Sequence, residues 1–196
     1  MTKLKHRFIN QCYDADALLN VRTGRELKDF ITNLKKQSLE QPDKWPPADY
    51  QGDGFESLVE AILVKWDSHK KLDMVGYEPT EPEAIGVDGI GKCLLGGNHT
   101  TQVKLRIEDW VLTEGKDHIG MAPASSFTRY NAKKLTIWTG GKAVHRTLLA
   151  EWNYYDQDKT KVMNRKDIEK LVNRNPPFWK WYKDQIIQAK VEKNAS

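Results

Sequence analysis

In the first third of the chain, hydrophobic positions recur at the spacing of an α-helix. From Phe55 to Trp66, apolar side chains stand at positions i, i+3, i+4, i+7, i+8 and i+11, and Asp53 would cap that helix. A second stripe of this kind follows Thr23–Glu26, whose residue types fit a capping box. The pattern predicts helices over residues 3–20, 24–37 and 54–68, with a proline-containing linker over 40–52.

Beyond residue 70 the apolar runs shorten to the length and residue types of strands. Lys134–Thr139 is the strongest run, and Gly96-Gly97 separates two others that predict a hairpin. We expect strands at 74–78, 86–95, 100–107 and 134–139, and a loop followed by a helix over 117–134. Two further helices are expected at 165–173, capped by Asn164, and at 176–191, which begins after Asn175. This order predicts an α/β fold, a mixed β-sheet core flanked by helices, with helical N- and C-terminal segments.

Composition narrows the class of protein. The chain has 196 residues, of which 30% are charged, and no apolar run long enough to span a bilayer. The first ten residues lack the apolar stretch of a secretory signal, and the only two cysteines, Cys12 and Cys93, have no metal-site spacing. We therefore expect a globular protein with reduced thiols and a cytoplasmic location, in a host cell if the gene is phage-encoded.

Positive charge is concentrated near the C-terminus. Residues 159–193 hold ten Lys or Arg and four acids, a balance of +6, whereas the remainder sums to −2. Phe178, Trp179, Trp181 and Tyr182 alternate there with lysines, an arrangement that suits either stacking on bases or the core of the last helix. The segment predicts a polyanion partner or a solvated helical face, and the candidate DNA contacts are Lys166, Lys170, Lys180, Lys183 and Arg146.

The predicted hairpin carries an acid, an amide and a lysine. Gln102 and Lys104 are two apart on one strand and share a face, whereas Val103 points to the other. With Asp88, they offer hard oxygen ligands for Mg²⁺ and a cation that could stabilise charge on a phosphate. Asp88-Gly89 could instead be a simple turn. A turn centred on Gly97 would place Asp88 diagonal to Lys104 and further from Gln102.

Gly86-Val87-Asp88-Gly89-Ile90, followed by Gln102-Val103-Lys104, resembles the motif of the PD-(D/E)XK nuclease superfamily, in particular its Mrr-like branch, in which Gln replaces the usual acid. Gly54–Val59 resembles the helix that carries an accessory acid in that family, and Leu135–Gly140 resembles a later strand. Val87 stands where the motif has proline. The resemblance covers roughly residues 52–150. It implies a restriction-endonuclease-like core in which Asp88, Gln102 and Glu56 bind the metal and Lys104 is the catalytic lysine.

The function expected from this resemblance is Mg²⁺-dependent hydrolysis of double-stranded DNA, with Mn²⁺ as a substitute. Restriction enzymes, homing endonucleases and nucleases of phages or mobile elements all fit, and cutting both strands favours a homodimer. The alternatives are a nucleic-acid-binding module with a decayed site and a nuclease for RNA or branched DNA. The expected organisation is a helical segment at 1–40, a nuclease core at 50–155 and a basic helical segment at 156–196.

Overall fold

The computed structural model describes residues 3–81, 86–105, 111–112, 121–144 and 159–195. Contacts divide the chain into two compact units. The helical unit comprises Met1–Lys65 and Ile168–Ser196, and the sheet unit comprises Trp66–Asp167. The boundaries of these units differ from those of the three expected segments, because the N-terminal and C-terminal segments belong to the same unit.

The helical unit is built around the apolar stripes that the sequence predicts. Its helices are α1 (Phe8–Gln11), α2 (Ala15–Leu18), α3 (Glu26–Glu40) and α4 (Pro47–Lys65), and two C-terminal helices, α6 (Arg165–Val172) and α7 (Pro176–Ala195), follow the sheet unit's last strand. Phe55, Leu58 and Ile62 of the α4 stripe are completely buried. The predicted continuous helix over 3–20 is wrong, because only two single-turn helices form there.

Helix α4 begins well before the position that its apolar stripe indicates. It starts at Pro47, where the missing N–H of proline costs nothing, so the linker predicted over 40–52 is partly helical. Asp53 is therefore not an N-cap. It lies inside the helix, and its carboxylate accepts hydrogen bonds from Arg7 Nε at 2.7 Å and Arg7 Nη2 at 2.8 Å.

The capping box predicted for α3 is also wrong. Arg25 occupies the N-cap position and makes no capping hydrogen bond with its side chain. Glu26 is buried and instead accepts the backbone N–H of Arg174 at 2.9 Å, a residue that comes just after α6. A partner far along the chain has replaced the local one.

The sheet unit contains a mixed sheet, as the sequence predicts, and the described residues form five strands of it. Its strands are β1 (Val75–Pro79), β2 (Gly89–Lys92), β3 (Asn98–Lys104), β5 (Ala132–Thr139) and β7 (Thr160–Met163), in that spatial order. The first three strands pair antiparallel, and β3, β5 and β7 pair parallel. Short strands β4 (Val111–Leu112) and β6 (Ala143–Val144) form a separate pair, and α5 (Met121–Ala124) continues as a π-helical turn, Ser125–Arg129. The short strand β7 was not predicted.

The hairpin register corrects one expectation about the candidate site. Gly89 pairs with Thr101, and Lys92 pairs with Asn98. Gly96 and Gly97 both have positive φ, as the turn requires, but the pairing centres the hairpin on Leu95, not on Gly97. Continuing the same register places Asp88 directly opposite Gln102, so no bulge is needed to bring them together.

The C-terminal helices begin as predicted. Asn164 Oδ1 accepts the N–H of Asp167 at 3.2 Å, and Asn175 Oδ1 accepts the N–H of Phe178 at 3.2 Å. Among the residues that the structure describes, no helix has the length and apolar character that crossing a bilayer requires.

Candidate active site

The backbone of Asp88 is held between two neighbouring strands. Its N–H donates to the carbonyl of Thr101 at 2.8 Å, and its carbonyl accepts the N–H of Thr80 at 3.0 Å. A Cβ on Gly89 would overlap the Tyr77 hydroxyl, so the residue after Asp88 must be glycine for this tyrosine to lie against the strand. Asp88 thus immediately precedes strand β2, which begins at Gly89, and the interpretation of Asp88-Gly89 as a simple turn is wrong.

The side chain of Asp88 joins the two strands of the hairpin. Its Oδ2 accepts the backbone N–H of Val103 at 2.6 Å and a hydrogen bond from Gln102 Nε2. Gln102 is buried, with only 2% of its surface exposed. Because a carboxylate can only accept, the amide group of Gln102 turns its NH₂ toward Asp88 and its Oε1 away.

Lys104 ends strand β3 on the same face as Gln102. The two residues are one pleat repeat apart, about 7 Å along the strand. The carbonyl of Lys104 accepts the N–H of Gly140 at 3.3 Å, which holds the end of β3 against the end of β5. Asp88, Gln102 and Lys104 therefore lie together at the carboxyl end of a strand, where open α/β sheets commonly bind ligands.

The donor atoms at this position fit a magnesium ion. Asp88 supplies carboxylate oxygens and Gln102 supplies the amide oxygen Oε1, and both are hard oxygen ligands. Mg²⁺ uses one or two protein carboxylates and retains several waters, so a set this small is sufficient. A half-turn of the Gln102 amide group would present Oε1 on the side of Asp88.

Glu56, the predicted accessory acid, lies on α4 in the helical unit. Its Oε2 is 3.2 Å from His6 Nε2, and His6 Nδ1 accepts the N–H of Phe8 at 3.2 Å. His6, Asp53 and Glu56 place possible ligand atoms within 4.8 Å of one another. Both oxygens of Asp53, however, accept hydrogen bonds from Arg7, and burial raises the pKa of Asp53. The contacts present are those of a hydrogen-bond network, and a metal role for Glu56 stays a prediction.

Glu60 has a different place from the one its helical position suggests. The sequence indicates a solvated helix acid, but Glu60 is 1% exposed. Its two oxygens accept the backbone N–H groups of Lys5 at 2.6 Å and His6 at 3.0 Å, and burial raises its pKa. Glu60 thus ties the N-terminal segment to α4, a long-range contact that no local pattern announces.

The five candidate DNA contacts differ in their surroundings. Lys166, Lys170 and Lys180 are exposed on α6 and α7. Lys183 forms an ion pair with Asp16 at 2.5 Å, and Arg146 lies outside the described residues. Their role in binding DNA stays a prediction.

The aromatic residues of α7 form part of the core of the helical unit. Phe178, Trp179, Trp181 and Tyr182 are all buried. Trp179 Nε1 donates to the carbonyl of Val172 at 2.8 Å, and the Tyr182 hydroxyl shares a hydrogen bond with Ser57 at 3.0 Å. The core interpretation is confirmed, and stacking of these rings on bases is wrong because their faces are covered.

Comparison with known proteins identifies no related family or protein. No protein-family model matches the chain, and a search of the curated proteins returns no match.

Proposed function

We propose that the protein is a metal-dependent endonuclease that hydrolyses phosphodiester bonds of double-stranded DNA. The observation that carries the proposal is the contact between Asp88 and Gln102 across the β2–β3 hairpin, with Lys104 next along the same face. The mixed sheet, antiparallel from β1 to β3 and parallel from β3 to β7, supports the restriction-endonuclease-like core that the motif implies.

Each of the three residues has a task in this reaction. A bound Mg²⁺ would lower the pKa of its water and neutralise charge that builds on the phosphate. Asp88 supplies the negative charge of the metal site and is held in position by the N–H of Val103. Gln102 contributes Oε1, and the ammonium group of Lys104 stabilises the phosphate oxygens or orients the attacking water.

Supercoiled plasmid is the first substrate to test. We expect nicking or linearisation with Mg²⁺ or Mn²⁺ and none with EDTA. Asp88→Asn and Lys104→Gln should both abolish cleavage. Asp43→Asn and Lys44→Gln change the same residue types at exposed positions of the helical unit and should cleave at the wild-type rate. Wild-type rates in Asp88→Asn would refute the site.

A second function is favoured by the same contact. The side-chain NH₂ of Gln102 donates to Asp88, a contact that a nucleic-acid-binding module with a decayed site would also show. In that case the wild-type protein would shift duplex DNA in a gel and would cut neither plasmid, RNA nor a four-way junction in any divalent metal. The three substrates also separate the DNA nuclease from the RNA and branched-DNA alternatives.

Cutting both strands at one place requires two sites, so we expect the nuclease to act as a homodimer. Light scattering coupled to size exclusion should give twice the chain mass of 22.6 kDa, alone or on a short duplex. A monomer on cleavable DNA would instead predict single-strand nicks.

A further inference from the structure

The sheet unit contains a second polar feature, a cavity of about 210 Å³ at the amino ends of β5 and β7. Five lysines line it, and we call it the lysine pocket: Lys70, Lys71, Lys134, Lys159 and Lys161. Among the lining residues that the structure describes, Asp73 is the only acid, so their charged groups sum to +4. Such an excess of one sign around a small concave space attracts anions.

Asp73, the acid of this described lining, is already engaged in contacts. Asp73 Oδ2 pairs with Lys134, and Oδ1 accepts the N–H of Leu94 at 3.0 Å. Burial by itself would raise the pKa of Asp73, but the hydrogen bond from Lys134 and the other contacts outweigh it and lower the pKa. Lys161 Nζ donates to the carbonyl of Lys71 at 2.8 Å, which joins β7 to the loop before β1. Lys134 and Lys161 are thus each held by a contact to another residue of the pocket lining.

A buried histidine is part of the pocket lining. His99 Nδ1 is 2.8 Å from the carbonyl of Asp73, which can only accept, so Nδ1 carries the proton. His99 Nε2 therefore accepts from Thr136 Oγ1, also at 2.8 Å. Burial lowers the pKa of His99, so the ring adds no charge. Asp73, Cys93 and His99 come close enough to hold an ion, but both nitrogens of His99 are occupied, which disfavours a metal there.

The size and chemistry of the pocket select its ligand. Its volume lies below the roughly 300–1,000 Å³ of pockets for drug-sized ligands, and it equals that of about seven water molecules. Lysine ammonium groups bind phosphate as point charges, each with three donors that can rotate to meet its oxygens. A phosphate or diphosphate group matches this space and this charge.

We propose that the lysine pocket is a phosphate-binding site separate from the candidate active site. His99 and Gln102 are three apart on β3 and so face opposite sides of the sheet. The pocket lies near one end of β3 and Lys104 at the other, about 17 Å away along the strand. One phosphate cannot occupy both places, so the lysine pocket takes either a free phosphate compound or a nucleic-acid phosphate remote from the cleaved bond.

Titration with pyrophosphate in metal-free buffer of constant ionic strength tests this proposal. The pocket variant is Lys70→Gln with Lys161→Gln. Its control, Lys28→Gln with Lys35→Gln, removes the same charge from exposed positions of α3. Calorimetry should show saturable binding to the wild-type protein, at least tenfold weaker binding to the pocket variant, and unchanged binding to the control. Amide signals of residues 71–73 and 134–136 should shift in ¹⁵N spectra of the wild-type protein.

The results of these titrations decide whether the lysine pocket binds phosphate and which source the phosphate has. Absence of saturable binding to the wild-type protein, or equal weakening in both variants, overturns the site. Lys70→Gln alone repeats the test if the loss of the Lys161 contact prevents folding. Anisotropy of a labelled duplex then identifies the source. A salt slope reduced by up to about two units in the pocket variant indicates a nucleic-acid phosphate, and an unchanged slope indicates a free phosphate compound. Neither result depends on whether plasmid is cleaved.

Discussion

Replacing Asp88 separates its part in the fold from its part in chemistry. In Asp88→Ala, the N–H of Val103 and the Nε2 of Gln102 both lose their acceptor. Both residues are buried, and each donor left unpaired costs about 1–3 kcal/mol. We therefore expect Asp88→Ala to lower the free energy of unfolding by about 2–6 kcal/mol, a large part of the stability of an ordinary domain.

Asp88→Asn removes the charge but preserves the contacts. The carboxamide oxygen of the new side chain still accepts from Val103, and its NH₂ can donate to Gln102 Oε1 after a half-turn of that amide. Only the difference between charged and neutral hydrogen bonds is lost, about 1 kcal/mol. The alanine variant should therefore be less stable than the asparagine variant by about 1–5 kcal/mol, while neither cleaves DNA.

Urea unfolding measures this difference. The seven tryptophans report unfolding by fluorescence, circular dichroism supplies a second probe, and equal m-values would show that both variants unfold the same surface. Equal stability of Asp88→Ala and Asp88→Asn would refute the reasoning, because it would mean that Asp88 does not hold the two donors. Cleavage by Asp88→Asn would remove the catalytic role and leave the structural one.

Three further changes test the site and the two units. Gln102→Glu places a second carboxylate beside Asp88, so the melting temperature of this variant should fall without metal. It should rise more than that of the wild-type protein when Mg²⁺ is added, and cleavage should be kept or improved. A folded but inactive variant would mean that Gln102 acts through its NH₂ group. Burial lowers the pKa of His99 below its unfolded value of 6.5, so the shift costs no stability above that pH. As the pH falls below 6.5, the unfolded chain takes up a proton that the folded chain excludes. The free energy of unfolding should therefore decrease by up to about 1.4 kcal/mol per pH unit. Urea titrations from pH 7 to 5 should show this slope in the wild-type protein and a smaller one in His99→Gln; identical slopes would contradict it. In α4, a Cβ on Gly54 would overlap a leucine of α3, whereas one on Gly52 meets nothing within 4 Å. Gly54→Ala should cost about 1–3 kcal/mol and Gly52→Ala should add about 0.5–1 kcal/mol, and equal effects in thermal melts would exclude this difference in packing.

Local sequence was enough to determine the elements whose signals are short-range. The apolar stripe of α4 and the caps Asn164 and Asn175 predicted helices that the structure contains, because helical periodicity and capping involve residues only a few positions apart. Gly96-Gly97 predicted the hairpin in the same way. The grouping of Gln102 with Lys104 on one face followed from the two-residue repeat of a strand.

Tertiary structure decided where the charged groups went. Asp53, Glu26 and Glu60 have the residue types of caps or solvated acids, yet each is buried against a partner at least 46 positions away in the chain. The hairpin register, which sets Asp88 opposite Gln102, likewise depends on how β1 and β3 pair with the strand between them. The lysine pocket unites residues 70 to 161, whose spacing carries no periodic signal. A local pattern determines which conformation a segment prefers, but burial forces each polar group to find whichever partner the fold brings near, because an unpaired buried group costs too much to keep.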